Sequence, residues 1–129
     1  MGEYELRQVR RRALALPEVS ERLSHGAPCF FVRDKRPLCY FHDDDFDDSD
    51  RVSLMCPALA GVAEMLAAAR PGRFYRPVPS ASGVFRDWLG MFLDEPDGDL
   101  VDWDKVADII EDAYRLVAPT RLVARLDGS

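Results

Sequence analysis

Several things are scarce in this chain, and each scarcity closes off a class of function. Its 129 residues include three cysteines, two histidines and two lysines. A small, odd number of cysteines cannot make the paired framework of a disulfide-stapled secreted domain. The N-terminal stretch MGEYELRQVRRRALALPEVSE alternates charged and apolar residues, where a secretory signal needs an unbroken apolar run. Reduced thiols in a cytoplasm are the expectation. No apolar run approaches the ~20 residues that span a bilayer; the longest, LAGVAEMLAAA, carries a glutamate. A Walker A loop and a GxGxxG turn are missing, as are internal repeats, low-complexity tracts and any linker long enough to divide the chain. With 47% apolar residues, residues 1–129 are expected to fold as one domain around one core. The tail from about residue 120 is expected to be loosely ordered.

Acid is what the chain has in excess. Its net charge is -6, which disfavours a surface coated with phosphate-binding cations. The charge is laid down in blocks: residues 1–42 hold 8 bases and 5 acids, 43–50 hold 6 acids, 51–93 hold 5 bases and 2 acids, and 94–129 hold 4 bases and 10 acids. If the two positive blocks share a face and the two negative blocks lie behind it, that face can meet an anionic partner.

Periodicity predicts the elements. Leu6, Val9, Ala13 and Leu16 form one stripe of a helix over residues 4–16 that Pro17 ends. Arg7, Arg10 and Arg11 lie on one flank of it, with Arg12 on the other. PCFFVR and PLCYFHD read as two strands of a hairpin with a basic tip at Asp34, Lys35 and Arg36, and RVSLMC as a third strand. Pro57 is expected to open a helix, ALAGVAEMLAAA, so poor in polar residues that most of its surface should be covered. In the loop RPGRFYRPVPSASG, Arg70, Arg73 and Arg76 interleave with Phe74 and Tyr75; guanidinium beside aromatic is a pattern that holds phosphate and stacks bases. VFRDWLGMFLD is apolar on both sides, as in a central or helix-covered strand. In the last helix Asp102 is the expected N-cap, and Val106, Ile109, Ala113 and Leu116 the buried stripe. The order predicts an α+β fold, a mostly antiparallel sheet backed by helices.

Two constellations invite chemistry. Asp43, Asp44, Asp45, Asp47, Asp48 and Asp50 fall within eight residues, but as an EF-hand loop the run has Asp48 where glycine is needed and Leu54 where the bidentate glutamate belongs. A solvated strand connection that repels edge pairing is the expected role. His25, Cys29, Cys39 and His42 supply zinc-ligand types, but both cysteines sit inside apolar strands, where they should fill core, so no metal or cofactor is assigned. No nucleophile and base are set side by side in a way that defines an enzyme.

ALALPEVSERLSHGAPCFFVRDKRPLCYF, RVSLMCP, RFYRPVP, DWLGMFL and VDWDKVADIIEDAYRLVAP together resemble the MmcQ/YjbR family, in order and spacing, from about Leu6 to Pro119. The resemblance implies a CyaY-like fold with a double-wing arrangement of hairpins, no enzymatic activity, and DNA as partner. Phosphate contacts would then come from Arg7, Arg10, Arg11, Arg33, Lys35, Arg36, Arg73 and Arg76. The chain departs from the family pattern at Met55, where a lysine is usual. A second reading is a small-molecule binding protein with a pocket between sheet and helices lined by Phe31, Tyr40, Trp88 and Met91. A third is a protein-interaction module that offers its acidic surface to a basic partner.

Overall fold

The hairpin that the sequence announces is built on a turn one residue earlier than expected. In the computed structural model, which describes residues 2–24, 26–42, 51–79, 81–83, 85–94 and 101–128, Arg33 and Asp34 both take left-handed backbone, with φ of 54° and 58°. The Lys35 N–H donates to the Val32 carbonyl at 3.1 Å. Two consecutive left-handed residues give the turn the twist of the flanking strands, and the Arg33 N–H, donating to Glu18 O at 2.9 Å, anchors it.

Around this turn run β2 (Ala27–Val32) and β3 (Arg36–His42), followed by β4 (Ser53–Pro57). Outside β2 lies β1 (Val19–Ser24), paired antiparallel from Val19↔Val32 to Ser24↔Ala27. VSERLS is mostly polar and gives no strand signal of its own, and its burial alternates weakly, as an edge strand permits. On the other side β6 (Trp88–Phe92) pairs with β4, and the two-residue β5 (Phe74–Tyr75) closes the far edge. The result is a six-stranded antiparallel sheet of order β1-β2-β3-β4-β6-β5.

Four helices complete the α+β arrangement: α1 (Glu3–Ala13), α2 (Val62–Ala69), α3 (Trp103–Val117) and α4 (Thr120–Leu126). Every one sends side chains into the same core, Val9 and Ala13 from α1, Ala63 from α2, Val106 and Ile110 from α3, and Leu122 from α4. They therefore back one face of the sheet. That face presents Phe30, Cys39, Phe41, Leu54, Leu89 and Met91. Complete burial of side chains such as Phe30, Phe41 and Leu54 contributes roughly 1.5–3 kcal/mol each. Consecutive core residues Leu38 and Cys39 are allowed by a register shift between Phe30 and Phe31, since a bulge lets two neighbours face the same way.

Three expectations change. Pro57 does not open a helix; it is the last residue of β4, opposite Trp88, and α2 begins only after Gly61, whose φ of 87° makes the corner. The chain beyond Pro119 is not a loose tail, because α4 buries Leu122 completely. In α3 the core takes Val106, Ile110, Ala113 and Tyr114, so the buried stripe is rotated from the expected one. The expected cap at Asp102 is present, its Oδ1 accepting from the N–H groups of Asp104 and Lys105 at 3.1 and 3.2 Å. The aspartate run at 43–50 lies outside the described residues.

On the sheet face away from the helices, the Tyr75 ring lies across Gly90, its register partner, in the space a Cβ there would need. Its hydroxyl shares a 2.9 Å hydrogen bond with Ser53 Oγ, and its ring stacks on Phe92 at a centroid distance of 4.9 Å. Gly90→Ala must dislodge the ring from both contacts, and overpacking of this kind costs about 1–3 kcal/mol. Urea titration should show that loss in wild type and little or none in a Tyr75→Ala background; equal losses in both would contradict the packing.

Candidate functional site

The eight candidate phosphate-binding residues do not converge. Arg73 and Arg76 flank β5, five strands from β1, or roughly 24 Å across the sheet, while the others lie at α1 and the β2–β3 turn beside β1. Most are also engaged. Arg10 grips Glu21 with two hydrogen bonds of 2.7 and 2.8 Å, and this bond holds its guanidinium in the charged form. Arg33 Nε stands 3.3 Å from Glu18 Oε1, a Coulombic contact whose angle falls short of a hydrogen bond. Arg76 pairs with Glu64 at 3.1 Å. Arg73 is buried and donates to the carbonyls of Phe92 and Asp94 at 2.9 and 3.2 Å, where it ties β5 to the end of β6. Arg36 Nη1 reaches the Val117 carbonyl at 3.5 Å. Among the described residues Arg7, Arg11 and Lys35 have no carboxylate within ion-pair distance.

Cations outside that set are interleaved with acids as well. Arg22 pairs with Asp34 at 3.3 Å while capping the Phe31 ring, Arg125 adds a second cation to Glu18 at 3.4 Å, and Arg51 pairs with Asp94 at 2.8 Å over the Phe92 ring. Within the positive block at residues 1–42, Arg10, Arg22 and Arg33 are thus answered by that block's own Glu21, Asp34 and Glu18. Among the described residues, cations and carboxylates are interleaved and not sorted onto opposite faces.

The expected pocket residues are divided by the sheet. Met91 packs in the helix-side core, whereas Tyr40 and Trp88 meet on the opposite face, with ring centroids 5.7 Å apart and Phe85 wedged edge-on at 5.5 and 5.0 Å. Phe31 is on that face too, under Arg22. Rings this close are packed on one another and leave no room for a ligand between them. The same alternation separates the thiols. Cys29 stands opposite Tyr40 and Cys39 opposite Phe30, so the two project from different faces and the His25, Cys29, Cys39, His42 spacing cannot close on one zinc; His25 itself lies outside the described residues. Among the described residues no three His, Cys, Asp or Glu side chains gather to hold a metal.

A concave site exists elsewhere, between α2 and α3 at the end of β4. It is a groove of about 470 Å³ lined by Pro57, Leu59, Val62, Met65, Leu66, Leu89, Ile109 and Leu116, with Lys105, Asp112 and Arg115 also on its wall. Its volume falls in the range of small-molecule sites. Three large apolar side chains stand open along it, Leu59 at 64%, Met65 at 62% and Leu116 at 43% exposure. The reason lies in α3. Lys105, Ile109, Asp112 and Leu116 recur every three or four residues and share one face, while Val106, Ile110, Ala113 and Tyr114 hold the neighbouring face against the core. The helix therefore carries apolar residues on two sides, and the second side is the groove. The clue was present in sequence: α3 has more apolar residues than one stripe needs, and α2 too few polar ones.

All three thiols of this protein are buried. Burial pushes Cys29 up to about 11. Burial likewise drives Cys39 well above the ordinary thiol range, the adjacent Cys56 thiol adding to the effect. A bulky disulfide reagent at pH 8 should modify none of the three cysteines in the native protein and all three in urea, with Cys29 labelling rising only toward pH 11. Fast labelling of a native thiol at pH 7 would refute this placement.

Comparison with known proteins agrees with this fold. A family model described as YjbR matches residues 14–116. The crystal structure of Deinococcus radiodurans protein DR2400, with its DUF419 domain, superposes with a TM-score of 0.66 at 18% identity, over 89% of this chain and 79% of that one. At that identity the likeness shows the fold alone. No curated protein sequence matches. Among the described residues no helix is long and apolar enough to cross a membrane.

Proposed function

We propose that this chain, which belongs to the YjbR family, is a non-enzymatic cytoplasmic binding protein that holds one small apolar organic molecule in the groove between α2 and α3. The observation that carries the reading is the open alignment of Leu59, Met65 and Leu116 along a groove of about 470 Å³. Single exposed apolar side chains are ordinary on a soluble surface; several converging on one concavity mark a contact site. The walls are rigid, because Val62, Leu66 and Ile109 also pack against the core, so little ordering cost falls on binding.

Nucleic-acid binding is the second reading, and what supports it is Arg7 and Arg11 on the exposed face of α1, beside a shallow hollow formed with Arg10, Leu14 and Ala15. Against it stand the net charge of -6 and the pairing of Arg10, Arg22, Arg33, Arg51, Arg76, Arg115 and Arg125 with carboxylates. Phosphate would have to displace Glu21 from Arg10 and Glu18 from Arg33, and two adjacent cations, Arg7 and Arg11, offer little counterion release.

Diphenylhexatriene, a neutral apolar dye that brightens on leaving water, separates the two. The expected result is one site per chain with a Kd on the order of 10 μM and a raised melting midpoint. Met65→Glu, at an exposed helix position, should weaken binding roughly tenfold by placing a charge against the ligand without changing the fold. A short fluorescein-labelled duplex should show no salt-sensitive binding in the same buffer. Dye binding that is absent, or indifferent to Met65→Glu, defeats the groove reading, and a duplex affinity that falls steeply with salt establishes the other.

A further inference from the structure

The charged residues on the groove wall choose among apolar ligands. Lys105, Asp112 and Arg115 are the charged side chains there. Arg115 is already satisfied: its Nη2 and Nη1 donate to the Asp127 carboxylate at 2.6 and 3.2 Å, and Glu111 stands 4.0 Å away. Asp112 adds to the negative charge around the same guanidinium. At the Leu116 end of the groove, three carboxylates thus surround one cation. Asp112 has no hydrogen-bonded or ion-paired partner among the described residues, and it faces the groove. The opposing charge, Lys105, lies seven residues earlier on α3, ~10.5 Å along the axis, farther than the ~8 Å over which salt screens exposed charges. The remaining carboxylates on the exposed side of α3, Asp104 and Asp108, and the chain's net charge of -6 give the approaches a field that favours cations.

Resting on the groove as a binding site, we infer that its ligand is an organic cation: an apolar body lying along Leu59, Met65 and Leu116, with a protonated or quaternary amine set against Asp112. A carboxylate or phosphate at that end would meet the excess negative charge. The Lys105 end, two turns away, accepts an uncharged portion of the molecule.

The test uses the full chain and three forms of one dye, neutral diphenylhexatriene, its trimethylammonium derivative and its propionic acid derivative. At low salt the cationic form should bind roughly five- to tenfold more tightly than the anionic one, with the neutral form between, and the spread should collapse at high salt. Asp112→Asn should abolish the spread, read as the ratio of the cationic and anionic forms' Kd values within that variant, whereas Lys105→Gln should keep or widen that ratio. Both substitutions are at exposed positions. If the three forms bind alike, or the anionic form binds best, the charge inference is overturned while the groove reading stands. If the neutral form does not bind at all, the groove reading itself has failed.

Discussion

Everything in this molecule follows from the placement of all four helices on one face of an antiparallel sheet. A strand sends successive side chains to opposite faces, so each strand residue is committed either to the helix-side core or to the other face. Phe41 and Leu54 face each other on the core side, and Tyr40 and Met55 face each other behind them. That commitment divides Met91 from Trp88 and Cys39 from Cys29, and it dissolves both the pocket and the metal cluster that linear spacing suggested. Both faces are nonetheless well filled, which is why β2 and β4 read as nearly continuous apolar runs. Gly90 shows how close the packing on the second face is, since a single methyl there meets the Tyr75 ring.

Charge obeys a different logic from hydrophobic pattern. Blocks of like charge along the chain look like a sorted surface, but folding brings Glu21 to Arg10 and Glu18 to both Arg33 and Arg125. These pairs are exposed and each is worth at most about 1 kcal/mol, so they do little for stability. Their effect is on recognition, because a cation held by a neighbouring carboxylate is a poor phosphate ligand. Arg73 is further removed from such a role, as its guanidinium serves the backbone carbonyls of Phe92 and Asp94.

Much of the fold was legible in the sequence and the groove between α2 and α3 was not. The β2–β3 hairpin, the strands around Leu54 and Gly90, the Asp102 cap and the α+β class follow from aromatic and β-branched runs and a capping side chain, which are local signals. The edge strand β1 was hidden because its sequence is polar, and α2 was placed too early because proline at a strand end and proline at a helix start look alike until the pairing of Pro57 with Trp88 is known. α4 carries no separate start signal, because a proline that ends one helix also stands, as Pro119 does here, at the N-cap of the next. The groove depends on the angle between α2 and α3, a tertiary quantity. Only the double apolar face of α3 hinted at it, and which of Ile109 and Ile110 turns inward is settled by packing, not by period.

The proposal stands or falls on whether the second apolar face of α3 takes a ligand or is spare core. Backbone amide spectra of the labelled protein, recorded while diphenylhexatriene is added, test it most directly. Ligand in the groove should gather the shifts on α2, the segment before it around Leu59, and the Lys105–Leu116 stretch of α3, with α1 and the β2–β3 turn unmoved. Shifts centred instead on Tyr40, Phe85 and Trp88, or on Arg7 and Arg11, would contradict it.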